Sequence, residues 1–337
     1  MIHQPKPIMA DVARRAGVST MTVSRVLRGH PNVRVQTRTR VEEAIEALAY
    51  RTHAAARTLA GGPSGVIGVV CVAAPYFGPS NTLFGIEAAA RARGFSVSLV
   101  TLGDVGGDGI RHALRQLQTL QVDGAIVVAP TRAAVTALPD DESTPTTVIC
   151  AEPEAGQRTV SVDQVAGARL ATRHLLDQGH DTVYHLRGPR EWIDADARAA
   201  GWRMELRTQM TWVPRALVGD WTARSGYRAG VRLATDRKVT AVFAGNDQMA
   251  IGVLRALVEA GRRVPDDVAV VGFDDVPEAR FLTPPLTTVR QDFDLLGREA
   301  VDSLLQAMDS PELSAHRSIA PRLVVRRSSQ TAEVYGR

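Results

Sequence analysis

From Gly65 onward the chain repeats one pattern, a short apolar run followed by a stretch with helical spacing. VIGVVCVA (66–73), FSVSLVTL (95–102), GAIVVA (124–129) and TTVICA (146–151) are runs of this kind, and Val160 to Asp163 closes the series. A second series follows, with a helix containing HLLDQG (174–179) and the runs VYHLRG (183–188), AVFAGND (241–247) and VAVVGFDD (268–275). Strands alternating with helices build parallel sheets covered on both faces. Two such series predict two doubly wound α/β subdomains with a cleft between them. PPLTTVRQDFDLLGREAVDSLLQ (284–306) reads as an extended run entering a helix, and RLVVRRSS (322–329) as a closing strand.

Open α/β sheets bind ligands at the carboxyl ends of their strands. Asn246 and Asp247 follow one apolar run, Asp274 and Asp275 another, and Arg198 and Trp202 lie beyond a third. Trp221 stands in GDWTARSGY and Phe293 in VRQDFD. An acid, an amide and a guanidinium around an aromatic face suit a neutral polyhydroxylated ligand, because the polar groups fix hydroxyls and the indole covers a C–H face. Taken singly, Asn246 and Asp274 also suit helix capping and loop bracing. Trp192, Trp202 and Trp212 read as core.

Several chemistries find no footing. His174, His180 and His185 have no HExxH pattern and no cysteine partners, so no metal site is expected. GDVGGDG (103–109) lacks dinucleotide-cradle spacing, and no G-x-S-x-G elbow is present. Asp274 and Asp275, adjacent at a strand end, should point to opposite faces rather than act as an acid/base pair. Neither an enzyme nor a cofactor is expected. No apolar run is long enough to span a membrane, and the N-terminus lacks the apolar core of a secretory signal. With Cys71 and Cys150 the only cysteines, both in apolar runs, a reduced cytoplasm is the expected setting.

The N-terminal region is different in kind. ADVARRAGVSTMTVSRVLRG (10–29) reads as two short helices around a tight turn. Val12, Ala13 and Ala16 form one apolar face, Gly17 stops the first helix, and Ser19 caps the second. Val23 and Leu27 should face the first helix, leaving Thr20, Met21, Ser24, Arg25 and Arg28 on the opposite stripe. Arginine, hydroxyls and an apolar side chain suit base edges in a major groove, although a solvated αα-hairpin has the same pattern. Thr37 should cap a third helix carrying Val41, Ala44, Ile45 and Leu48. Charge is segregated accordingly. Residues 1–62 hold ten basic against four acidic side chains, a net of +6, whereas the remainder holds 30 against 32 within a chain total of +4.

DVARRAGVS, TVSRVLRG and TRTRVEEAIEALAY resemble the lactose/galactose repressor (LacI/GalR) family of bacterial transcription regulators, and GDW, NDQMAIG, VVGFDD and PPLTTVRQDF extend the resemblance over almost the whole chain. It implies a helix-turn-helix head at 1–50, a hinge helix at 51–62, and a periplasmic-binding-protein-like core at 63–337. That core would divide into an N-subdomain of about 63–162 plus 291–320 and a C-subdomain of about 163–290 plus 321–337. Ser19, Thr20, Met21, Thr22 and Arg25 are implied DNA-contacting residues. Arg57 and Leu59 are implied in the hinge, where a leucine wedges into the minor groove. Arg198, Trp221, Asn246, Asp274 and Phe293 are implied effector contacts, joined by Tyr76 and Asp194.

Three departures stand out. Thr52-His53 replaces the Pro-Asn of most relatives, Cys150 stands at an aspartate position of the lactose-responsive members, and Asp194 stands near their serine. The chain ends without a leucine-heptad tail, so a homodimer is expected. The resemblance implies a repressor of sugar-utilisation genes on a pseudo-palindromic operator, released by a sugar of β-galactoside type. A purine-type co-repressor and a sugar-binding transport protein remain the alternatives at this point.

Overall fold

The computed structural model describes residues 7–27, 30, 32–48, 63–72, 76–103, 107–138, 144–151, 157–310 and 315–330. Contacts divide the chain into two compact units, residues 1–65 and 66–337.

The first unit holds α1 (Met9–Ala16), α2 (Thr20–Leu27) and α3 (Val35–Ala47). Gly17 ends α1 at φ 65°, a left-handed conformation that costs glycine nothing, and its N–H bonds back to the last turn. Ser19 Oγ then accepts the Thr22 N–H at 3.1 Å, which starts α2 as its sequence implies. Val12, Ala13, Ala16, Val23, Val26, Val41 and Ala44 form the buried core. Two local expectations change. Val26, rather than Leu27, is the second fully packed residue of α2, with Leu27 only partly buried at the core edge. Thr37 does not cap α3, which begins two residues earlier after Arg34 with no side-chain cap.

The second unit contains two six-stranded sheets. One runs β11-β5-β4-β3-β1-β2, from β1 (Val66–Val72), β2 (Ser96–Leu102), β3 (Gly124–Val128), β4 (Thr146–Ile149), β5 (Thr159–Val162) and β11 (His316–Ile319). The other runs β12-β10-β9-β8-β6-β7, from β6 (Tyr184–Arg187), β7 (Leu217–Val218), β8 (Ala241–Ala244), β9 (Ala269–Asp274), β10 (Thr287–Arg290) and β12 (Arg322–Val324). All pairings are parallel except β10 with β12, an antiparallel edge on an otherwise parallel sheet. The expected closing strand over 322–329 is therefore three residues long, and Ser328 beyond it is held by hydrogen bonds with Val270, Pro285 and Thr287.

Helices connect the strands: α4 (Phe77–Ala92), α5 (Gly107–Thr119), α6 (Arg132–Val135), α7 (Gln164–Asp177), α8 (Ile193–Thr208), α9 (Ala223–Thr235), α10 (Asp247–Glu259) and α11 (Phe293–Asp309). The central strands are buried on both faces, as β3 and β8 are throughout, which is why they read as continuous apolar runs. In each sheet the strand order reverses beside the first strand of its series, at β1/β3 and at β6/β8. Such switch points leave a crevice at the carboxyl ends of the strands. Cys71 and Cys150 are buried and form no disulfide. No helix among the described residues is long and apolar enough to cross a membrane.

Candidate functional site

The carboxyl ends of both sheets line one cavity enclosing about 750 Å³ of space, part of it open to solvent. Tyr76, Asp194, Arg198, Trp221, Asn246, Asp274 and Phe293 all stand on its wall. At one edge the two sheets are tied together, since Trp192 bridges to Thr131 and the Ile193 N–H donates to Pro130 O at 2.9 Å.

Arg198 is the hub. It is buried on α8, with its guanidinium carbon 3.9 Å from the centre of the Phe273 ring. Nε donates to Gln164 Oε1 at 2.9 Å, and Nη1 donates to the Gly245 carbonyl at the end of β8. Gln164 Nε2 passes the chain on to Gln291 Oε1 at 2.9 Å, and Gln291 Nε2 donates to Asp274 Oδ1 at 2.7 Å. Asp274 Oδ1 lies 3.7 Å from Arg198 Nη2, so the network returns to its origin. These four side chains come from the starts of α7 and α8 and the ends of β9 and β10, so the circuit sits at the edge of the second sheet, with Gln164 and Gln291 in the segments that cross between the sheets. Planar groups held this way are preorganised for a ligand rather than free to relax around water.

Asp274 occupies an unusual backbone position at φ 110°, as does Asp275 at φ 55°. Their side chains diverge as the sequence suggests. Asp274 enters the cavity, whereas Asp275 accepts hydrogen bonds from Arg290 and Arg326. Burial pushes the Asp274 carboxyl from 3.8 up to about 6, against the pull of Arg198 and Gln291 and with a further push from Asp194. A raised folded-state pKa means that this stabilising contribution is complete below the unfolded value and is lost as pH rises through about 6. Relative to Asp274→Asn, the wild-type protein should lose up to about 3 kcal/mol between about pH 4 and pH 7. Urea unfolding at the two pH values measures this, and parallel stability profiles would refute the burial of that charge.

An aromatic wall faces the polar circuit. Tyr76 meets Trp192 edge-on with ring centroids 5.4 Å apart, and Trp192 meets Trp221 in the same manner at 5.7 Å. Trp221 sits at φ 69°, just before Thr222, which caps α9. Asn246 holds it there by donating from Nδ2 to the Trp221 carbonyl at 3.1 Å. Asn246 Oδ1 also accepts the Met249 N–H at 3.0 Å, so this residue caps α10 while lining the cavity. The capping and lining readings are therefore both true of it. Phe77 and Phe293 close another side, edge-on at 5.8 Å.

Sequence reasoning passed over Gln164, Gln291 and Trp192. The glutamines follow β5 and β10 directly or nearly so, and the same carboxyl-end rule would have selected them. Trp192 reads as core but lines the cavity between Tyr76 and Trp221. Trp202 is a core residue, donating to Val183 O at 2.8 Å, whereas Trp212 is 58% exposed and belongs to neither class. Cys150, by contrast, does lie on the cavity wall.

In the head, Ser19, Thr20, Met21 and Arg25 are exposed, and Met21 at 66% exposure is unusual for so large an apolar side chain. Thr22 is half-buried, its Oγ1 2.9 Å from Ser19 Oγ. Arg28, Arg57 and Leu59 lie outside the described residues.

Residues 8–53 match the bacterial regulatory proteins of the lacI family, and residues 172–329 match the periplasmic binding protein-like domain. The lactose operon repressor of Escherichia coli K12 is 33% identical, covering 96% of this chain and 91% of its own length. The ribose operon repressor of the same organism is 34% identical over 95% of this chain and 99% of its own. A crystal structure of the Lac repressor dimer bound to operator and an anti-inducer aligns with a TM-score of 0.90 at 32% identity, covering 97% of this chain and 100% of that one.

Proposed function

We propose that this chain, which belongs to the lacI family of bacterial regulatory proteins, is a cytoplasmic homodimeric repressor whose hold on operator DNA is set by a sugar in the cavity. The closed circuit Arg198–Gln164–Gln291–Asp274 carries this reading. It sits where the chain crosses between the two sheets and faces an aromatic wall, as recognition of a polyhydroxylated ring requires. The ligand is bound and not transformed.

In this reading residues 1–50 form the DNA-binding head, 51–62 the hinge, and 63–337 a two-subdomain core. Each sheet belongs to one subdomain, and a ligand that prefers one arrangement of the two shifts the population of DNA-competent dimers. The exposed stripe of Thr20, Met21 and Arg25, begun by Ser19 and Thr22, supplies base and phosphate contacts. Arg57 and Leu59 act in the hinge, against the central minor groove. Dimerisation and operator binding are properties of the similar Lac repressor carried over here, and the sugar accords with the lactose and ribose operon repressors.

Fluorescence anisotropy with a selected operator duplex and a scrambled duplex tests the DNA side. Arg25→Ala should narrow the difference between the two by about 1–3 kcal/mol while retaining weak, salt-sensitive binding to both. An unchanged preference would remove Arg25 from base readout. Adding sugars to the same assay gives the sign of regulation, because an inducer releases operator and a co-repressor tightens it.

A further inference from the structure

Among the described residues that line the cavity, only Asp194, Arg198 and Asp274 carry charged side chains. Two carboxylates therefore share one cation, and they share a single nitrogen of it. Arg198 Nη2 is 3.9 Å from Asp194 Oδ2 and 3.7 Å from Asp274 Oδ1, both beyond hydrogen-bonding range. The rest of the guanidinium is committed elsewhere, with Nε on Gln164 and Nη1 on the Gly245 carbonyl. Asp274 Oδ1 accepts from Gln291, but Asp274 Oδ2 and both oxygens of Asp194 receive no hydrogen bond from a described side chain or backbone group. Asp194 stands in the first turn of α8 with about a third of its side chain exposed, available to a ligand. The cavity is thus short of positive charge and rich in open acceptors.

We infer that the cavity takes an amino sugar, a hexose whose protonated amine lies against Asp194, in preference to its neutral or acidic counterparts. This deepens the sugar reading above and rests on it. An ammonium group brings three donors and no acceptor, and balances the second carboxylate. A hydroxyl in its place leaves that charge unbalanced, and a uronate would add a third carboxylate to a desolvated site. The edge-stacked rings of Tyr76, Trp192 and Trp221 favour a cation near their faces as well. Burial raises the carboxyls of both Asp194 and Asp274, as expected of anions that lack sufficient counter-charge.

Isothermal titration of the full chain at about pH 6.5, where amines of this type are largely protonated, tests the inference. The ligands are glucosamine, galactosamine and mannosamine, each beside its parent hexose, its N-acetyl derivative and its uronate. At least one amine should bind about tenfold or more tightly than its parent and N-acetyl forms, with the uronate weakest. Asp194→Asn should bring the amine-to-parent ratio within about twofold, a change that loss of packing alone would not produce. Neutral hexoses binding as well as the amines would overturn the inference while leaving the sugar reading intact. An amine preference that survives Asp194→Asn would overturn the role of Asp194. No binding by any of these hexoses would overturn the amino-sugar inference, whereas the sugar reading falls only if pentoses and disaccharides fail to bind as well.

Discussion

Arg198→Ala is expected to bind operator and to ignore its effector at concentrations that saturate the wild-type protein. The substitution removes the donors to Gln164 and Gly245 and the only cation among the described residues of the cavity wall. Gln164 then has no fixed partner for Oε1, Gln291 loses its orientation, and two carboxylates face each other uncompensated. Charged hydrogen bonds are worth about 1.5–3 kcal/mol each, so losing the hub should weaken ligand binding by at least about 100-fold. Lysine should not rescue it, because one ammonium cannot reach the glutamine and the carbonyl in the planar geometry of the guanidinium. Titration calorimetry and operator anisotropy on the same preparation separate lost response from lost folding. A variant that still responds at wild-type ligand concentrations would remove Arg198 from the site.

The second large effect lies behind the cavity. Where α4 and α11 cross, a Cβ on Gly297 would stand 2.1 Å from the Gly85 carbonyl carbon, and one on Gly85 would stand 2.3 Å from Phe293 O. The two helix backbones touch there, and the contact seats Phe293 against Phe77 on the cavity wall. Alanine at 297 gains about 1 kcal/mol of helix propensity over glycine. It must also displace backbone rather than a flexible side chain, which puts it at the upper end of the usual overpacking cost, about 3 kcal/mol. The clash wins. With a net cost of about 2 kcal/mol, Gly297→Ala should lower the melting temperature by roughly 4–8 °C and weaken ligand binding through Phe293. An unchanged melting temperature would mean that the helices separate at little cost.

Much of this architecture is legible in the sequence because it follows from local or periodic rules. Strands such as β8 and β9 are buried on both faces and appear as unbroken apolar runs. Gly17 and Ser19 announce the turn of the head because backbone sterics and a cap hydroxyl act within a few residues. The edges are not legible. The strand β7 is two residues long, and β11 is the polar sequence HRSI, paired with β5 after a connection of more than 150 residues. Neither carries an apolar pattern to detect.

The site divides in the same way. Arg198, Asn246 and Asp274 are legible as polar residues that follow strands, but a single sequence does not join them into a circuit. That needs Gln164 and Gln291, 127 residues apart, to meet at 2.9 Å. Trp192 was assigned to the core because enclosure by other aromatic rings and exposure to a cavity leave the same mark on sequence. Thr37 reads as a cap because threonine is a capping residue, whereas α3 starts two residues earlier, after Arg34, with no side-chain cap to mark it.

The central claim is that ligand in the cavity and DNA on the head draw on one equilibrium. Its most direct test is to measure effector affinity calorimetrically twice, on free protein and on protein saturated with operator duplex. The account predicts two different values, separated by about 5- to 150-fold and equal to the factor by which the effector changes operator affinity. Identical effector affinities in the two states would contradict it.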